Sequence, residues 1–415
     1  MRSRLHRRVL ATLQGRGNPS PRKRCKHMNN VITAKPLHER DAIMTNIIKN
    51  PLFDAVVDFD NIVRGYHETQ RGDRKFRKEA VIFDMCRERN LVHLWRDLKD
   101  EKYEVGEYIR FKVFEPKERI VSAPHIRDKT VQFAVHNVLK EVYKPVFIKG
   151  SFACQEDKGN HRAVEHLQHN MRVCKWKHGG GWILKIDVKK YFYSIDRDIL
   201  KRILKKKIKD EKFLRLLYKI IDSSPEGEKG IPLGNVTSQD MANIYLDKLD
   251  QYCVRFLKVK YYTRYMDDIC IVTPTKEQAR EYLEKIKTFL KERLGLETNQ
   301  KTKIFPLEQG VNAYGFKIWT THRLLRDKSK QAMKRRIKRM DEKLKTGEMT
   351  KKEVLQAVSS WLGYARWACS FNLCKKIFAP YPYIKVEGEI YFGRISRNSQ
   401  PRRTVQKRSY TASTY

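Results

Sequence analysis

Acidic residues are scarce in this chain relative to basic ones. Its 415 residues include 48 Asp plus Glu against 88 Lys plus Arg, a formal net charge of +40. Enzymes of neutral metabolites seldom need such an imbalance, whereas a polyanionic partner does, because each phosphate that a cation neutralises releases condensed counterions. The composition therefore favours a protein that binds nucleic acid. An anionic membrane surface is the weaker alternative, since the basic excess is spread along the whole chain.

Long apolar runs and paired cysteines are also missing. No apolar run approaches the roughly 20 residues of a membrane-spanning helix, so no membrane association through such a helix is expected. The eight cysteines are scattered and none belongs to a CxxC pair, which disfavours a zinc ribbon and a secreted disulfide framework. With 40% hydrophobic and 11% aromatic residues, the chain has the composition of a globular protein with reduced thiols.

The pattern along the chain divides it into five parts. Residues 1–38 contain no Asp or Glu and are interrupted by Gly and Pro, which predicts a basic, disordered arm; a transit peptide and an upstream extension of the reading frame are the alternatives. Residues 39–115 carry apolar side chains at helical spacing and predict a helical N-terminal region. Residues 116–320 combine strand and helix patterns, residues 321–378 hold two further predicted helices over 334–344 and 354–371, and residues 379–415 form a basic tail with a short β-like stretch at 390–392.

Carboxylates stand at the ends of three predicted strands. Residues 182–188 predict a buried strand that reaches Asp187, and two strand-like runs, 261–265 and 269–272, flank Asp267 and Asp268. Asp has low β-propensity and is costly to bury without compensation. Acids clustered in so basic a protein indicate Mg²⁺, which prefers hard oxygen ligands. Two such ions would activate an attacking hydroxyl and stabilise a pyrophosphate leaving group; a solvated acid pair at a turn is the alternative.

These residues resemble motifs of the reverse transcriptases. The tetrapeptide at 265–268, Tyr-Met-Asp-Asp, resembles their YxDD motif, and residues 187–192 resemble their first catalytic-Asp motif. Further blocks occur in the family's order, namely 119–132, 150–163, 301–304 and 314–316. The resemblance covers about residues 110–375. It implies an α+β, right-hand polymerase fold with fingers and palm over 116–320, a helical thumb over 321–378 and the helical N-terminal region in front.

The resemblance also assigns functional residues. It implies that Asp187, Asp267 and Asp268 are catalytic carboxylates, that they bind two Mg²⁺ ions together with Val188, and that Lys301 protonates pyrophosphate. Phe192 matches the position where a bulky ring excludes a ribonucleotide, which implies synthesis from dNTPs. For the incoming nucleotide the implied contacts are Arg119, Arg127, Phe192, Leu233, Gly234 and Gln239. The alternative for Arg119, Arg127 and Lys301 is a solvated surface charge.

One segment departs from the general family pattern. Most reverse transcriptases have QGxxxSP where residues 233–239 stand, but here Leu233 replaces the Gln and Gln239 replaces the Pro. This variation resembles the reverse transcriptases of diversity-generating retroelements, which copy a template-repeat RNA with errors at adenines. An apolar Leu233 cannot hydrogen-bond to the nucleotide, which relaxes discrimination; the alternative is that Leu233 only packs. We expect Gly234 to let the backbone approach the nucleotide closely.

The predicted thumb carries aromatic and basic side chains. Trp361, Tyr364 and Trp367 recur at three-residue spacing, which is more typical of core packing than of a nucleic-acid platform. Basic residues on the preceding helix suit contact with the phosphates of a duplex, with a solvated face as the alternative. They are Arg335, Arg336, Lys338 and Arg339.

The resemblance implies partners and leaves alternatives. The implied partners are template RNA, the cDNA/RNA duplex, dNTPs and a small basic oligomeric accessory variability protein, in the cytoplasm of a bacterial, archaeal or phage-infected cell. Within the same class, the alternative is a retron-like or group II intron-like reverse transcriptase. From another class, the alternative is a non-catalytic RNA-binding protein on a polymerase fold, which the presence of all three carboxylates disfavours.

Overall fold

A computed structural model describes residues 51–114, 118–225 and 227–386 of the chain. The predicted N-terminal arm and the β-like stretch at 390–392 lie outside these residues. In the described part no helix is long and apolar enough to cross a membrane.

The N-terminal part is helical, as predicted, but it ends in a strand. Its helices are α1 (Leu52–Val57), α2 (Phe59–Thr69), α3 (Lys78–Met85) and α4 (Arg87–Lys99), with a 3₁₀ turn at Gly72–Phe76. Asp58 accepts a hydrogen bond from the Asn61 N–H and so caps α2, which buries Ile62 and Tyr66. By contrast, Val81, Ile82 and Met85 on α3 are exposed, so their spacing predicted the helix but not its burial.

The next elements are a hairpin and a long helix. Strands β1 (Tyr108–Val113) and β2 (Arg119–Pro124) pair antiparallel as a two-stranded sheet. They are followed by α5 (Ile126–Tyr143), which packs against α2.

The predicted strands around the carboxylates form one antiparallel sheet. Its order is β4 (Tyr261–Tyr265), β5 (Asp268–Thr273), β3 (Trp182–Asp187) and β6 (Lys303–Pro306), so β3 and β5 are central. The central strand β5 is buried from Ile269 to Thr273, which explains its apolar run, whereas Lys185 and Asp187 of β3 are only half-buried. The helices in this part of the chain are α6 (Asn160–His178), α7 (Tyr191–Ser194), α8 (Arg197–Lys207), α9 (Glu211–Asp222), α10 (Val236–Gln251) and α11 (Lys276–Leu294), with a π-helical turn at Tyr252–Phe256.

A small sheet and three helices complete the described part. After a 3₁₀ turn at Leu307–Gln309, strands β7 (Val311–Ala313), β8 (Phe316–Ile318) and β9 (Arg323–Leu325) form a three-stranded sheet. Helix α12 (Asp327–Lys345) includes the predicted basic helix and buries Met333, Ile337 and Met340. Helices α13 (Lys351–Ala365) and α14 (Phe371–Phe378) follow.

The single helix predicted over 354–371 is therefore wrong. Helix α13 ends at Ala365, where the Ser370 hydroxyl donates to the Ala365 carbonyl at 2.7 Å. Consequently Trp367 does not share a helix with Trp361 and Tyr364. Instead it stacks on His161 with ring centroids 4.2 Å apart, while Tyr364 donates to the Gly315 carbonyl at 2.7 Å. The predicted packing role of these aromatics is confirmed, and the α+β, right-hand layout with a helical C-terminal part is confirmed as well.

Candidate active site

Strand pairing brings the predicted carboxylates to one edge of the central sheet. In the antiparallel pair of β3 and β5, Asp187 lies directly opposite Asp268. In the pair of β4 and β5, Tyr265 is opposite Asp268, so Met266 and Asp267 form a two-residue turn. The predicted hairpin with an acidic tip is confirmed.

The hairpin tip is conformationally strained at Met266. Its φ is +52°, in a region that non-glycine side chains seldom adopt and that costs on the order of 1–3 kcal/mol. The Met266 carbonyl accepts a hydrogen bond from Nη1 of Arg264 at 3.1 Å. The tip is thus held by the guanidinium of its own strand.

The two carboxylates of the hairpin are costly to ionise. Burial raises the pKa of Asp267, the nearby Asp187 raises it further, and Arg119 and Arg264 act in the opposite direction. Burial also raises the pKa of Asp268, against the effect of the Lys185 ammonium. A bound cation would offset this cost, because it favours the charged form of each carboxylate.

The donor set fits a divalent cation that shares its coordination with a substrate. Oδ1 of Asp268 is buried and accepts no hydrogen bond, while Nζ of Lys185 lies 3.4 Å from it. Within the described ranges, no three His, Cys, Asp or Glu side chains are grouped closely enough to enclose a metal by themselves. Mg²⁺ ordinarily keeps several waters and takes the remaining ligands from substrate phosphates, so a partial protein set suffices.

The turn after α11 brings Lys301 to the same site. The Asp187 carbonyl accepts from the Asn299 N–H at 2.7 Å, and Oδ1 of Asn299 accepts from the Lys301 N–H at 3.1 Å. Val188 forms an isolated antiparallel bridge with Thr298. As a result Lys301 lines an open cleft of about 1110 Å³ together with Asp187 and Asp268.

Arg119 and Phe192 lie near the carboxylates on two separate elements, β2 and α7. Arg119 begins β2 with an exposed side chain, and its charge is one of those acting on Asp267. Phe192 is half-buried on α7, and its carbonyl accepts from the Ile231 N–H at 2.9 Å. This bond joins the segment after Asp187 to residues 230–239.

Residues 233–239 contact the β1–β2 hairpin. The Leu233 carbonyl accepts from the Ser122 N–H at 3.2 Å. A Cβ at Gly234 would stand 2.3 Å from the Ser122 carbonyl oxygen, so the close approach that requires glycine here is to β2. The expectation that it is made to a nucleotide stays a prediction. Gln239 is exposed on α10 and accepts from the Cys154 thiol at 3.2 Å.

Arg127 is engaged elsewhere. Its guanidinium donates to Asp97 at 3.1 Å and to Asp128 at 3.2 Å, and it lies over the Tyr103 ring at 4.9 Å. These contacts tie α5 to the N-terminal helices. The predicted contact with a triphosphate would require Arg127 to leave them.

The basic residues predicted to bind nucleic acid lie on the exposed face of α12. The buried side chains of this helix recur at Met333, Ile337 and Met340, which turns the opposite face to solvent. On that face are Arg335, Arg336, Lys338 and Arg339.

Two charged residues at the site were not predicted from the sequence: Arg264, which holds the acidic turn, and Lys185, which lies beside Asp268. Both stand in strands, where charged residues are usually read as solvent-facing, yet Arg264 is completely buried and Lys185 is about 20% exposed. Lys185 stands two residues before Asp187 and so on the same face of β3, which is the signal that could have linked it to the carboxylates.

The fold and the acidic sheet edge have the right-hand layout of a nucleic-acid polymerase domain. Residues 112–318 match the family described as reverse transcriptase (RNA-dependent DNA polymerase), so the chain carries a reverse transcriptase domain, which belongs to the RNA-directed DNA polymerase class of enzymes.

Known relatives are proteins of intron and bacterial origin. The putative COX1/OXI3 intron 2 protein of Saccharomyces cerevisiae is 22% identical over 355 residues, which are 69% of this chain and 41% of that protein. Protein YkfC of Escherichia coli is 26% identical over 53% of this chain and 67% of its own length. The group II intron-encoded protein LtrA of Lactococcus lactis subsp. cremoris is 29% identical over 45% of this chain and 30% of LtrA.

Among solved structures, telomerase from Candida albicans with a fragment of telomeric RNA gives a TM-score of 0.44 at 12% identity, over 68% of this chain and 57% of that one. The chain thus spans less than half of the COX1/OXI3 intron 2 protein and less than a third of LtrA.

Proposed function

We propose that this protein is an RNA-directed DNA polymerase that extends a primer 3′-hydroxyl on an RNA template with dNTPs. The observation that carries the proposal is the register of β3 and β5, which sets Asp187 opposite Asp268 beside the strained turn at Asp267. Asp187 and Asp267 would hold Mg²⁺ together with Val188, the residue after Asp187. Asp268 would be a further carboxylate at the site. When bound, two such ions supply Lewis-acid activation of the hydroxyl and charge neutralisation of pyrophosphate.

The remaining residues of the site bind and orient the substrate. Arg119 would bind the triphosphate, since a guanidinium matches phosphate oxygens in two-point contacts. Phe192 would exclude a 2′-hydroxyl sterically, which selects dNTPs. Lys301 faces the shared cleft and would donate a proton to the pyrophosphate oxygen as it leaves.

The exposed basic face of α12 would hold the template–product duplex. Arg335, Arg336, Lys338 and Arg339 would contact phosphates, which positions a duplex without reading its sequence. The net charge of +40 suits a long nucleic-acid footprint with strong salt dependence.

Primer extension on a defined RNA template, with Mg²⁺ and four dNTPs, tests the activity. Asp267→Asn should abolish extension and leave RNA affinity largely unchanged, because it removes a metal ligand and keeps the shape of the turn. Asp222→Asn, which alters an exposed carboxylate paired with Lys201, is the matched control and should retain activity. Extension by Asp267→Asn at the wild-type rate would refute the assignment. Specific RNA binding by an inactive wild type would favour the non-catalytic alternative.

We further propose that the chain serves a diversity-generating retroelement, copying a template-repeat RNA into cDNA mutagenised at adenines. Support comes from Leu233 and Gln239, which replace the Gln and Pro of the general motif. Without an amide at position 233, the pocket loses a hydrogen bond by which correct and incorrect nucleotides could be distinguished. A small basic oligomeric accessory protein would then be a partner, in the cytoplasm of a bacterial, archaeal or phage-infected cell.

A group II intron-like or retron-like enzyme is the second candidate, and the intron-encoded relatives favour it. Sequencing of the extension products separates the two. Errors concentrated opposite template adenine support the retroelement function, and Leu233→Gln should then reduce them. Rare, evenly distributed errors would support the intron-like alternative. Adenine-directed errors that Leu233→Gln leaves unchanged would refute the role of Leu233 alone.

A further inference from the structure

Arg264 is a fully buried cation in the strand that leads to the acidic turn. Its side chain and that of Asp250 are both 0% exposed. A buried charge is tolerated only when paired and hydrogen-bonded, since desolvation costs several kcal/mol per ion. Arg264 meets this requirement in full, because each of its five N–H groups has an acceptor.

The acceptors belong to four residues in three separate segments. Asp250, at the end of α10, accepts from Nε at 2.7 Å and from Nη2 at 2.6 Å. Ser151 accepts from Nη2 at 3.0 Å, and Asn243 of α10 accepts from Nη1 at 3.1 Å. The last N–H donates to the Met266 carbonyl.

The backbone of Arg264 is fixed as firmly as its side chain. Its N–H donates to the Gly150 carbonyl at 2.8 Å, and its carbonyl accepts from the Phe152 N–H at 3.0 Å. Tyr262, two residues earlier in β4, adds a hydrogen bond to Asp250 at 2.6 Å. Hydrogen bonds to the sheet, to α10 and to residues 150–152 therefore fix Arg264 in one position.

One hydrogen bond of Arg264, to the Met266 carbonyl, reaches the proposed metal site. The Met266 carbonyl belongs to the peptide unit whose nitrogen is that of Asp267, so holding the carbonyl sets the plane from which the Asp267 side chain departs. Met266 also has a positive φ, and without the hydrogen bond from Arg264 the turn would relax to a less strained backbone conformation.

We propose that Arg264 is a positioning residue that orients Asp267 for metal binding through the Met266 carbonyl. This inference rests on the proposed polymerase function. Residues that orient metal ligands typically alter metal affinity or activity by 10–100-fold when replaced, and we expect Arg264 to act in that way. Lysine keeps the charge but lacks the planar fork, so it cannot contact Asp250 through two nitrogens while also reaching Met266.

The test compares Arg264→Lys with Thr263→Val in the full chain. Thr263 is the buried neighbour in β4, and its hydroxyl bonds with His166 and Asn170 on the other face, away from the turn. The probe is Mn²⁺, whose binding is followed by electron paramagnetic resonance in a stalled complex with a dideoxy-terminated primer, RNA template and dNTP. Thermal stability, primer–template affinity and the Mg²⁺ dependence of extension are measured beside it.

Arg264→Lys should weaken Mn²⁺ binding and raise the half-saturating Mg²⁺ concentration about tenfold or more, with unchanged primer–template affinity. Thr263→Val should lower thermal stability and leave metal affinity within about twofold of wild type, because its lost bonds do not reach the turn. Equal metal affinities in the two variants would overturn the proposal.

If Arg264→Lys fails to fold, Ser151→Ala serves in its place. It removes one acceptor of Nη2 and should weaken Mn²⁺ binding by less than the roughly tenfold effect expected for loss of the whole fork. Wild-type affinity would overturn the proposal. If the wild-type complex does not bind Mn²⁺, the proposed function and this inference are both overturned. If the wild type binds Mn²⁺ and Arg264→Lys binds it equally well, only the positioning role is overturned.

Discussion

Replacement of Asp250 by Asn tests how strongly the buried ion pair stabilises the fold. Asp250 accepts hydrogen bonds from Arg264 through both oxygens and from Tyr262. Asn keeps the shape, but it removes the charge and places an N–H₂ group where one acceptor stood. Arg264 is then a buried cation without a counterion, facing a donor.

The magnitude follows from burial. Removing one partner of a buried pair costs about 3–5 kcal/mol, and we expect the lower end because one amide oxygen still accepts. At roughly 2–4 °C per kcal/mol for a domain of ~200 residues, the melting temperature should fall by about 6–12 °C. Thermal unfolding followed by far-UV circular dichroism measures this shift.

Asp222→Asn is the control. The Asp222–Lys201 pair has the same 2.6 Å N–O separation as the closest Asp250–Arg264 contact, but its carboxylate is about half exposed. Exposed pairs contribute about 0–1 kcal/mol. If the two variants lower the melting temperature equally, burial does not determine the contribution of the Asp250 pair and the reasoning is refuted.

Two further predictions concern the fold around the site. Gly234→Ala should lower the free energy of unfolding, measured in urea, by about 1–3 kcal/mol, because its Cβ would press on the Ser122 backbone. The control is Gly180→Ala, whose Cβ would meet nothing within 4 Å. Equal losses of unfolding free energy in the two variants would contradict the steric reason. Burial disfavours the charged form of His136, but the Asp240 hydrogen bond and charge outweigh it and raise its pKa above 6.5. Since the folded state then holds the proton more tightly than the unfolded chain, this stabilisation is present below about pH 6.5 and is lost as pH rises through the folded pKa. The melting temperature should therefore depend less on pH above about 6.5 in His136→Gln, and parallel curves would argue against the pair.

Local signals were enough to predict the strands and the acidic turn. Apolar, β-branched and aromatic residues indicate β3 and the two strands of the hairpin, and they predict residues 266–268 at its tip. In the structure Asp268 begins β5, so the turn has only two residues. The register of Asp187 opposite Asp268 could not be predicted, because it depends on pairing between segments about 80 residues apart. The break after Ala365 was missed for a similar reason: residues 366–370 are helix-compatible, but β9 supplies the carbonyl of Arg323 as an acceptor for the Cys369 N–H.

The sequence also conceals why the acids tolerate burial in this strongly basic protein. A net charge of +40 would suggest that nearby cations fully compensate the carboxylates for burial. Burial nevertheless raises the pKa of both Asp267 and Asp268, although Lys185, Arg119 and Arg264 lie nearby. Arg264 cannot neutralise Asp267 further, because its own charge is already paired with Asp250. The site thus retains a deficit of positive charge that the rest of the protein does not relieve. A divalent cation at this edge of the sheet would relieve it, because it favours the charged form of each carboxylate.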